Sequence, residues 1–373
     1  MVHPNRRELI KSAALGAVGL GSVAPSLSKA GATEAGATAG AKKSKVRIGI
    51  GIGTSWLQSK NDEDLRFIKQ IGVDYVNIRL PMIEGYRERG YFTKDTFQRF
   101  IDRLDAVGLR IERANSYGRY SLNAHLNRPG GQAEIDNLKR IGEILAETEI
   151  PVFGIQSCQA KLHTQDQPGW DRTREGRGGY NYREFDLARS EKLAGPPEYR
   201  VTSDDLWKGI LNIYRQVIPV IDGSKTRVAM HGNDPPLYDY LGNAQILCRF
   251  ADFDRLFSEV PSANSGITFC VGTRYESGED VFAGIRHFAQ QGKLFHVHFR
   301  NVRGTLPANR GYAEVFVDEG DLAMGEVLRT LVDVGYDGVI DYDHAMGITG
   351  DHRLRKQYIS YAVGYMRGLL HNL

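Results

Sequence analysis

The 373-residue chain has the composition of an ordinary globular protein, with 41% hydrophobic and 25% charged residues. Its formal net charge of +3 is too small to indicate nucleic-acid binding, and no basic run or stacking pattern supports a nucleic-acid partner. The three cysteines, Cys158, Cys248 and Cys270, include no CxxC pair and cannot form a disulfide framework.

The first 30 residues have the order of an export signal. Arg6 and Arg7 precede an apolar, Ala/Gly-rich run over residues 12–24, and small residues follow around Ala30. The paired arginines resemble a twin-arginine signal, which predicts recognition by the twin-arginine export machinery and a periplasmic location. The alternative is an N-terminus in which two arginines occur by chance. Residues 31–44 are rich in Ala, Gly, Thr and Lys and are predicted to form a flexible linker.

Strand and helix patterns alternate regularly from residue 45 to residue 373, which we interpret as one catalytic domain. The predicted strands are 46–53, 73–80, 110–115, 151–157, 226–231, 266–271, 294–300 and 338–344. The predicted helices are 61–71, 93–107, 131–148, 203–221, 251–259, 278–291, 321–334 and 353–370. This alternation favours an α/β fold, the (β/α)8 TIM barrel, whose active site lies at the carboxyl ends of the strands. An open doubly wound sheet is the alternative, but the first turn has no GxGxxG spacing.

Residues 158–201 interrupt the alternation between the fourth strand and its helix. Loops of this length in compact domains are usually functional or disordered. This segment is rich in hydrogen-bond donors, carries Trp170, and leaves the barrel on the rim where an active site is expected. It is therefore predicted to be a lid over a polar, anionic substrate, and a solvated insertion with scattered charges is the alternative.

Four strands in the second half of the chain end in residues that bind divalent metals. His231, Cys270, His298 and Asp343 stand at the same relative position in successive strand–helix units, so they should meet at one rim. Two imidazoles, a thiolate and a carboxylate suit a transition metal, and zinc, iron(II) and manganese(II) remain open by ligand type. His296 lies two residues before His298 and is expected to take a deeper, supporting position. Four unrelated residues at strand ends are the alternative.

Five sequence segments resemble mannonate dehydratase of the hexuronate pathway. They are HGNDPP (231–236), TFCVGTR (268–274), VHFRNVR (297–303), DEGD (318–321) and DH (343–344). The resemblance implies a xylose-isomerase-like (β/α)8 barrel. It also implies that Mn²⁺ or Fe²⁺ is bound by the residues matching His231, Cys270, His298 and Asp343, and that His344 is an acid/base residue.

Substrate-binding residues are predicted in the lid and after the seventh strand. The resemblance places Trp170, Arg172 and Thr173 in a lid motif at the substrate. Arg300 and Arg303, like Arg172, are candidates for binding the substrate carboxylate, because a guanidinium group binds carboxylate bidentately. Surface salt bridging is the alternative for each arginine.

The position of His344 sets a geometric condition on this site. Consecutive strand residues point to opposite faces, so Asp343 and His344 can share the site only if the strand ends or twists at Asp343. With that condition met, His344 has a reference pKa near neutrality that suits proton transfer in a β-elimination of water. The predicted product is a 2-keto-3-deoxy sugar acid formed from D-mannonate or a close aldonic acid.

Two other functions remain as alternatives. A metal-dependent sugar isomerase or epimerase of the related barrels is disfavoured, because Gln156 and Cys270 stand where those enzymes have carboxylates. An exported sugar-acid-binding protein without turnover is favoured by the C-terminal helix, where Gln357 to Tyr361 replace the family's Asp-Arg pair, and opposed by His344. The sequence does not decide the oligomeric state, and a homo-oligomer is compatible with it.

Overall fold

Eight parallel strands close into a barrel, as the sequence predicts. Each strand pairs with the next in chain order, and the last pairs with the first. The barrel strands are β1 (Arg47–Gly51), β2 (Tyr75–Arg79), β3 (Arg110–Ser116), β4 (Val152–Gln156), β5 (Arg227–His231), β6 (Ser265–Cys270), β7 (Leu294–His298) and β8 (Val339–Asp341). The predicted (β/α)8 fold is therefore confirmed.

The computed structural model describes residues 44–157, 168–191 and 200–373. The predicted export signal, nearly all of the predicted linker, Cys158 and two parts of the predicted lid lie outside these ranges. Within the described ranges, no helix combines the length and the apolar character that a membrane span requires.

Eight helices follow the eight strands. They are α1 (Glu63–Gln70), α2 (Lys94–Asp105), α3 (Gly131–Glu147), α4 (Ser203–Ile221), α5 (Phe250–Glu259), α6 (Val281–Gln290), α7 (Met324–Asp333) and α8 (Lys356–His371). The side chains of Thr93 and Thr202 accept hydrogen bonds from the first-turn backbone N–H groups of α2 and α4, which stabilises those helix starts. All predicted strands and helices occur within three residues of their predicted ends. Shorter helices lie at Tyr86–Arg89, Leu122–His125, Leu187–Ser190, Val271–Glu276 and Leu306–Asn309.

Aromatic packing fixes the sixth strand against its neighbouring helices. Phe269 on β6 lies 6.2 Å, ring centre to ring centre, from Phe288 on α6, which also contacts Phe253 at 6.1 Å and Phe257 at 6.3 Å on α5. All four rings are buried. Each such ring contributes roughly 2 kcal/mol through burial, and edge-to-face contacts add about 1 kcal/mol. This packing holds the end of β6, and hence Cys270, in a defined position.

A four-stranded antiparallel sheet, here called the rim sheet, contains the described part of the predicted lid. Its strands lie in the order Val302–Arg303, Gly311–Glu314, Asn181–Asp186 and Trp170–Glu175. Phe185 and Tyr312 form its apolar core with residues of the loop after β5, and Trp170 packs against this core. The described lid residues therefore form a folded hairpin with its own core. A separate two-stranded ribbon lies at Asp239–Tyr240 and Asn243–Ala244.

Candidate active site at the carboxyl rim of the barrel

Three of the predicted metal ligands meet at the carboxyl rim of the barrel. His231, Cys270 and His298 are the last residues of β5, β6 and β7, and Cys270 and His298 are direct neighbours in the strand register. One ligand atom from each residue lies within 4.8 Å of the others, and all three side chains are buried. The parallel strands thus bring residues from three separate segments to one point.

Asp343 joins this group from the end of β8. One carboxylate oxygen, Oδ2, lies 3.9 Å from the sulfur of Cys270 and 3.5 Å from Nδ1 of His298. Strand β8 ends at Asp341, and Asp343 has a φ of 58°, in the left-handed region. The strict alternation of a strand therefore no longer applies at Asp343, which meets the condition that the sequence sets for Asp343 and His344 to share the site.

The surroundings of His231 favour the neutral imidazole that a metal ligand requires. Its Nδ1 lies 2.7 Å from the carbonyl oxygen of Gly232 and donates to it, which leaves the lone pair of Nε2 available. Burial lowers the pKa of His231 to about 4. The imidazole is thus uncharged at neutral pH, as metal binding requires.

His298 and Cys270 also have surroundings that fit a bound cation. Burial lowers the pKa of His298 well below its usual value, and its Nδ1 is buried without a hydrogen-bond partner among the described residues. Its Nε2 lies 2.9 Å from Nη1 of Arg113. Burial raises the pKa of Cys270 to about 11, although Arg300 and a hydrogen bond from Thr273 oppose this. A cation would replace the thiol proton of Cys270, and a thiolate beside imidazole nitrogens is a donor set that fits a transition metal.

The predicted acid/base residue lies beside this group. His344 Nε2 is 3.6 Å from Oδ2 of Asp343, and Nδ1 is 2.9 Å from Oε2 of Glu314. About one third of the side chain is exposed, so a substrate can reach it. Burial alone would raise the pKa of Asp343, but the neighbouring His344, the charge of Arg300 and the neighbouring His231 bring it below its ordinary value. Asp343 is therefore a carboxylate.

Arg300 lies among buried protein carboxylates. Its guanidinium is 1% exposed and lies 3.0 Å from Glu276, 2.7 Å from Glu314 and 3.1 Å from Asp234. Nη2 also lies 3.5 Å from the sulfur of Cys270. Arg300 therefore offsets buried negative charge next to the metal-binding group. Its predicted contact with the substrate carboxylate remains a prediction.

The other predicted substrate residues lie on the rim sheet. Arg183 stacks its guanidinium 4.9 Å from the ring centre of Trp170 and contacts His344, so Trp170 is linked to the site through one residue. Arg172 is exposed on the rim sheet. Its pKa is lowered mainly by partial loss of solvent and secondly by the charge of Arg183, so the two guanidinium groups lie near each other.

Thr173 and Arg303 lack such a link to His344 among the described contacts. The Thr173 hydroxyl donates to Asp171 at 2.7 Å, and the Arg303 guanidinium donates to the backbone oxygen of Glu319 at 3.2 Å. Both residues are exposed. Their predicted substrate contacts remain predictions.

Sequence reasoning missed four charged residues of this site. Arg113, Glu276 and Glu314 are buried, and Arg183 is partly buried. Glu314 ends a strand that is otherwise uncharged, and that is a signal that could have identified it. Arg113 lies in a strand that also holds Arg110 and Glu112, so its sequence context does not distinguish it. Arg183 stands among many other charges of the insertion and has no such signal.

Comparisons with known proteins agree with this geometry. A family model described as D-mannonate dehydratase (UxuA) matches residues 187–373, half of the chain. The chain is 24% identical to mannonate dehydratase 2 of Halalkalibacterium halodurans over 326 residues, which cover 79% of this chain and 90% of that protein. It is 35% identical to mannonate dehydratase of Enterococcus faecalis over 175 residues, 45% of this chain and 48% of that protein. The latter alignment thus spans about half of each protein.

Solved structures show the same fold. Mannonate dehydratase from Streptococcus suis serotype 2 superposes with a TM-score of 0.74 at 21% identity, covering 88% of this chain and 93% of that chain. A xylose isomerase domain protein from Planctomyces limnophilus superposes with a TM-score of 0.55 at 14% identity, covering 89% of this chain and 100% of that chain. The barrel is therefore of the xylose-isomerase-like type. The chain belongs to the D-mannonate dehydratase (UxuA) family and is a hydro-lyase of the sugar-acid dehydratase type.

Proposed function

We propose that the protein dehydrates D-mannonate or a close aldonic acid to a 2-keto-3-deoxy sugar acid, with a divalent transition metal held by His231, Cys270, His298 and Asp343. One observation carries this proposal: these four side chains converge at the carboxyl rim directly beside His344. The matched family supplies the substrate class, since its described members are mannonate dehydratases.

The donor set supports Mn²⁺ or Fe²⁺ rather than Ca²⁺ or Mg²⁺. Nitrogen and sulfur ligands favour transition metals, whereas the two alkaline-earth ions prefer oxygen. When bound, the cation would stabilise the negative charge that develops next to the substrate carboxylate as the C2 proton leaves. This stabilisation is needed because a proton next to a carboxylate is a very weak acid.

The side chain of His344 supplies proton transfer. In the proposed reaction, Nε2 takes the proton from C2, the C3–O bond breaks, and the leaving hydroxyl takes a proton from solvent and departs as water. His344 then returns its proton to solvent. The resulting enol becomes the 2-keto group when a proton from solvent adds to C3. The net change is the loss of one water, so no oxidant or reductant is required.

Positive charge on the rim sheet suits an anionic substrate. Arg172 and Arg183 lie near each other on the hairpin, and Arg183 contacts His344. Repulsion between two guanidinium groups is relieved when a carboxylate binds nearby. We propose that Arg172 and Trp170 contact the sugar acid, in agreement with their predicted positions in the lid.

Turnover in D₂O tests the function directly. Protein loaded with Mn²⁺ is incubated with a panel of aldonic acids and aldoses, and products are followed by NMR. Dehydration of an aldonic acid should give a C3 methylene group that carries one deuterium, because a solvent deuteron adds to C3. Metal-free protein should give none. Aldose–ketose or epimer exchange would instead support an isomerase, and affinity without turnover would support a binding protein; either result contradicts the proposal.

A further inference from the structure

A buried glutamate connects the rim sheet to His344. Glu314 lies on the Gly311–Glu314 strand, directly opposite Arg183 in the antiparallel register, and its side chain is fully buried. Oε1 lies 2.7 Å from Nη1 of Arg300, an ion pair by distance. Oε2 accepts a hydrogen bond from Nε of Arg183 at 2.7 Å and lies 2.9 Å from Nδ1 of His344. The mechanism proposed above assigns no role to this residue.

Glu314 is ionised in this environment. Burial alone would raise its pKa, but the charge of Arg183, the hydrogen bond from His344 and the charge of Arg300 hold the pKa well below its usual value. An ionised carboxylate can only accept hydrogen bonds. The contact at 2.9 Å is therefore a hydrogen bond only if the proton is on Nδ1 of His344.

Arg183 also contacts Nδ1 of His344, so two hydrogen-bond arrangements must be compared. Its Nη2 lies 2.7 Å from Nδ1 of His344 and also contacts Oε2 of Glu314. If Nδ1 accepted a bond from Arg183, its lone pair would face the Glu314 carboxylate across 2.9 Å. With the proton on Nδ1, both Arg183 and His344 donate to Glu314, and no lone pairs oppose each other. In this second arrangement, Nη2 of Arg183 and Nδ1 of His344 are two donors that share Oε2 of Glu314 as their acceptor, and they form no hydrogen bond with each other.

A cation bound by Glu314, His344 and Asp234 would be a different use of the same atoms, which lie within 4.8 Å of one another. Arg300 lies 3.1 Å from Asp234 and 2.7 Å from Glu314, and Arg183 pairs with Glu314. One buried and one partly buried guanidinium group already balance the negative charge. The contacts therefore favour an orienting role over a second metal site.

We propose that Glu314, held by Arg183, is a positioning residue that fixes the imidazole of His344 with its proton on Nδ1 and its Nε2 lone pair directed to the site. Nε2 lies 3.6 Å from the Asp343 carboxylate, on the side of the metal-binding group. A carboxylate that holds one nitrogen of a histidine leaves the other ready to accept a proton. This inference rests on the proposed function, in which His344 takes a proton from the substrate.

The ring tautomer of His344 is measured first, because it does not depend on turnover. Metal-free protein with ¹⁵N-labelled histidine is studied by NMR, and the His344 signals are assigned by their loss in His344→Ala. We expect a protonated Nδ1 and an unprotonated Nε2 in the wild type, and a mixture of tautomers in Glu314→Gln. A wild-type ring with its proton on Nε2 would overturn the inference, whatever the protein does to sugar acids.

Kinetic measurements on two matched arginine variants then distinguish orientation of the His344 ring from simple anchoring of the hairpin. Arg183 and Arg177 lie on the same hairpin, and each pairs with a carboxylate outside it. Arg177 donates to Asp318 at 2.6 and 3.1 Å and has no described contact with His344. We expect Arg183→Met and Glu314→Gln to lower kcat roughly 10–100-fold with KM changed less than about threefold. Arg177→Met should change kcat less than about twofold.

The same substitutions in the His344→Ala background complete the test. If Glu314 and Arg183 act through His344, they should lower the residual rate no further, because coupled residues are not additive. Equal losses from Arg183→Met and Arg177→Met, or full additivity with His344→Ala, would overturn the inference. Absence of turnover in the wild type would instead refute the proposed function, while the NMR result would still decide the tautomer.

Discussion

The carboxylate of Asp341 accepts a hydrogen bond from the backbone N–H of Asp343 at 2.9 Å. Asp341 ends β8, and the bond holds the following residues in the left-handed turn at Asp343. The other oxygen of Asp341 accepts from Nε2 of His296 at 3.2 Å and from the amide nitrogen of Asn77. One buried carboxylate thus determines where the strand ends and how Asp343 and His344 are presented.

Replacement of Asp341 by alanine should destabilise the barrel. The change leaves the side-chain donors of His296 and Asn77 buried without their acceptor, and each such group costs about 1–3 kcal/mol. We expect the free energy of unfolding in urea to fall by roughly 3 kcal/mol. The control is Asp333→Ala, an exposed residue of α7, which should change the free energy by less than about 0.5 kcal/mol. Equal effects of the two substitutions would contradict this role of Asp341.

The stability that Asp341 provides should depend on pH in one direction. Burial alone would raise its pKa, but the neighbouring His298 and the hydrogen bond from His296 bring it below the ordinary value of 3.8. A carboxyl group whose pKa is depressed on folding stabilises the protein above its unfolded pKa and loses this contribution as the pH falls through the folded pKa. The difference in unfolding free energy between wild type and Asp341→Ala should therefore be constant from pH 7 to about 5 and shrink below about pH 4. A difference that grows on acidification would refute the assignment.

The barrel and the convergence of its ligands follow from regularities that one sequence displays. Apolar strands alternate with amphipathic helices, and a residue at the carboxyl end of a barrel strand must lie on one rim. These regularities therefore predict that His231, Cys270 and His298 lie together, as they do in the structure. Asp343 needed a departure from strand geometry, and the hydrogen bond from its N–H to Asp341 explains that departure.

The contacts between the rim sheet and the site could not be predicted in this way. Arg183 and Glu314 are 131 residues apart, and only the register of the antiparallel strands brings them together. The position of Arg300 after β7 predicts that it lies at this rim, but it does not reveal that buried carboxylates surround it. Position along a strand predicts which rim a residue occupies, but pairing between distant charges depends on tertiary structure.

The predicted role of the N-terminal arginine pair as an export signal can be tested in cells. We propose that Arg6 and Arg7 address the protein to the twin-arginine machinery, so Arg6→Lys combined with Arg7→Lys should leave the protein in the cytoplasm. Fractionation of cells with an antibody against the protein measures this. The paired control is Arg47→Lys, an arginine of β1 outside the signal, which should be exported like the wild type. Periplasmic delivery of the double variant would refute the export signal.

Loss of a ligand should remove the metal and the activity together. Cys270→Ser and His231→Ala each remove one donor from the group. Because the remaining ligands cannot replace the lost donor, we expect the purified protein to contain less than about one tenth of the wild-type metal. Mass spectrometry of the metal content measures this. Cys248→Ser is the matched control, because Cys248 is buried and its sulfur contacts the backbone oxygen of Leu237 at 3.2 Å, outside the group. Full metal content in Cys270→Ser would exclude Cys270 as a ligand.

Replacement of His344 should separate metal binding from chemistry. His344 contacts Asp343 only at 3.6 Å and is not part of the group formed by His231, Cys270 and His298, so His344→Ala should retain its metal. A positioned acid/base residue typically contributes 10²–10⁴-fold, and we expect kcat to fall by roughly that factor. The control is His287→Ala, which removes a half-exposed imidazole that pairs with Asp254 on the helical surface and should leave both quantities unchanged. Substantial turnover by metal-loaded His344→Ala would remove His344 from the acid/base role and, with it, the reason for Glu314 to orient the ring.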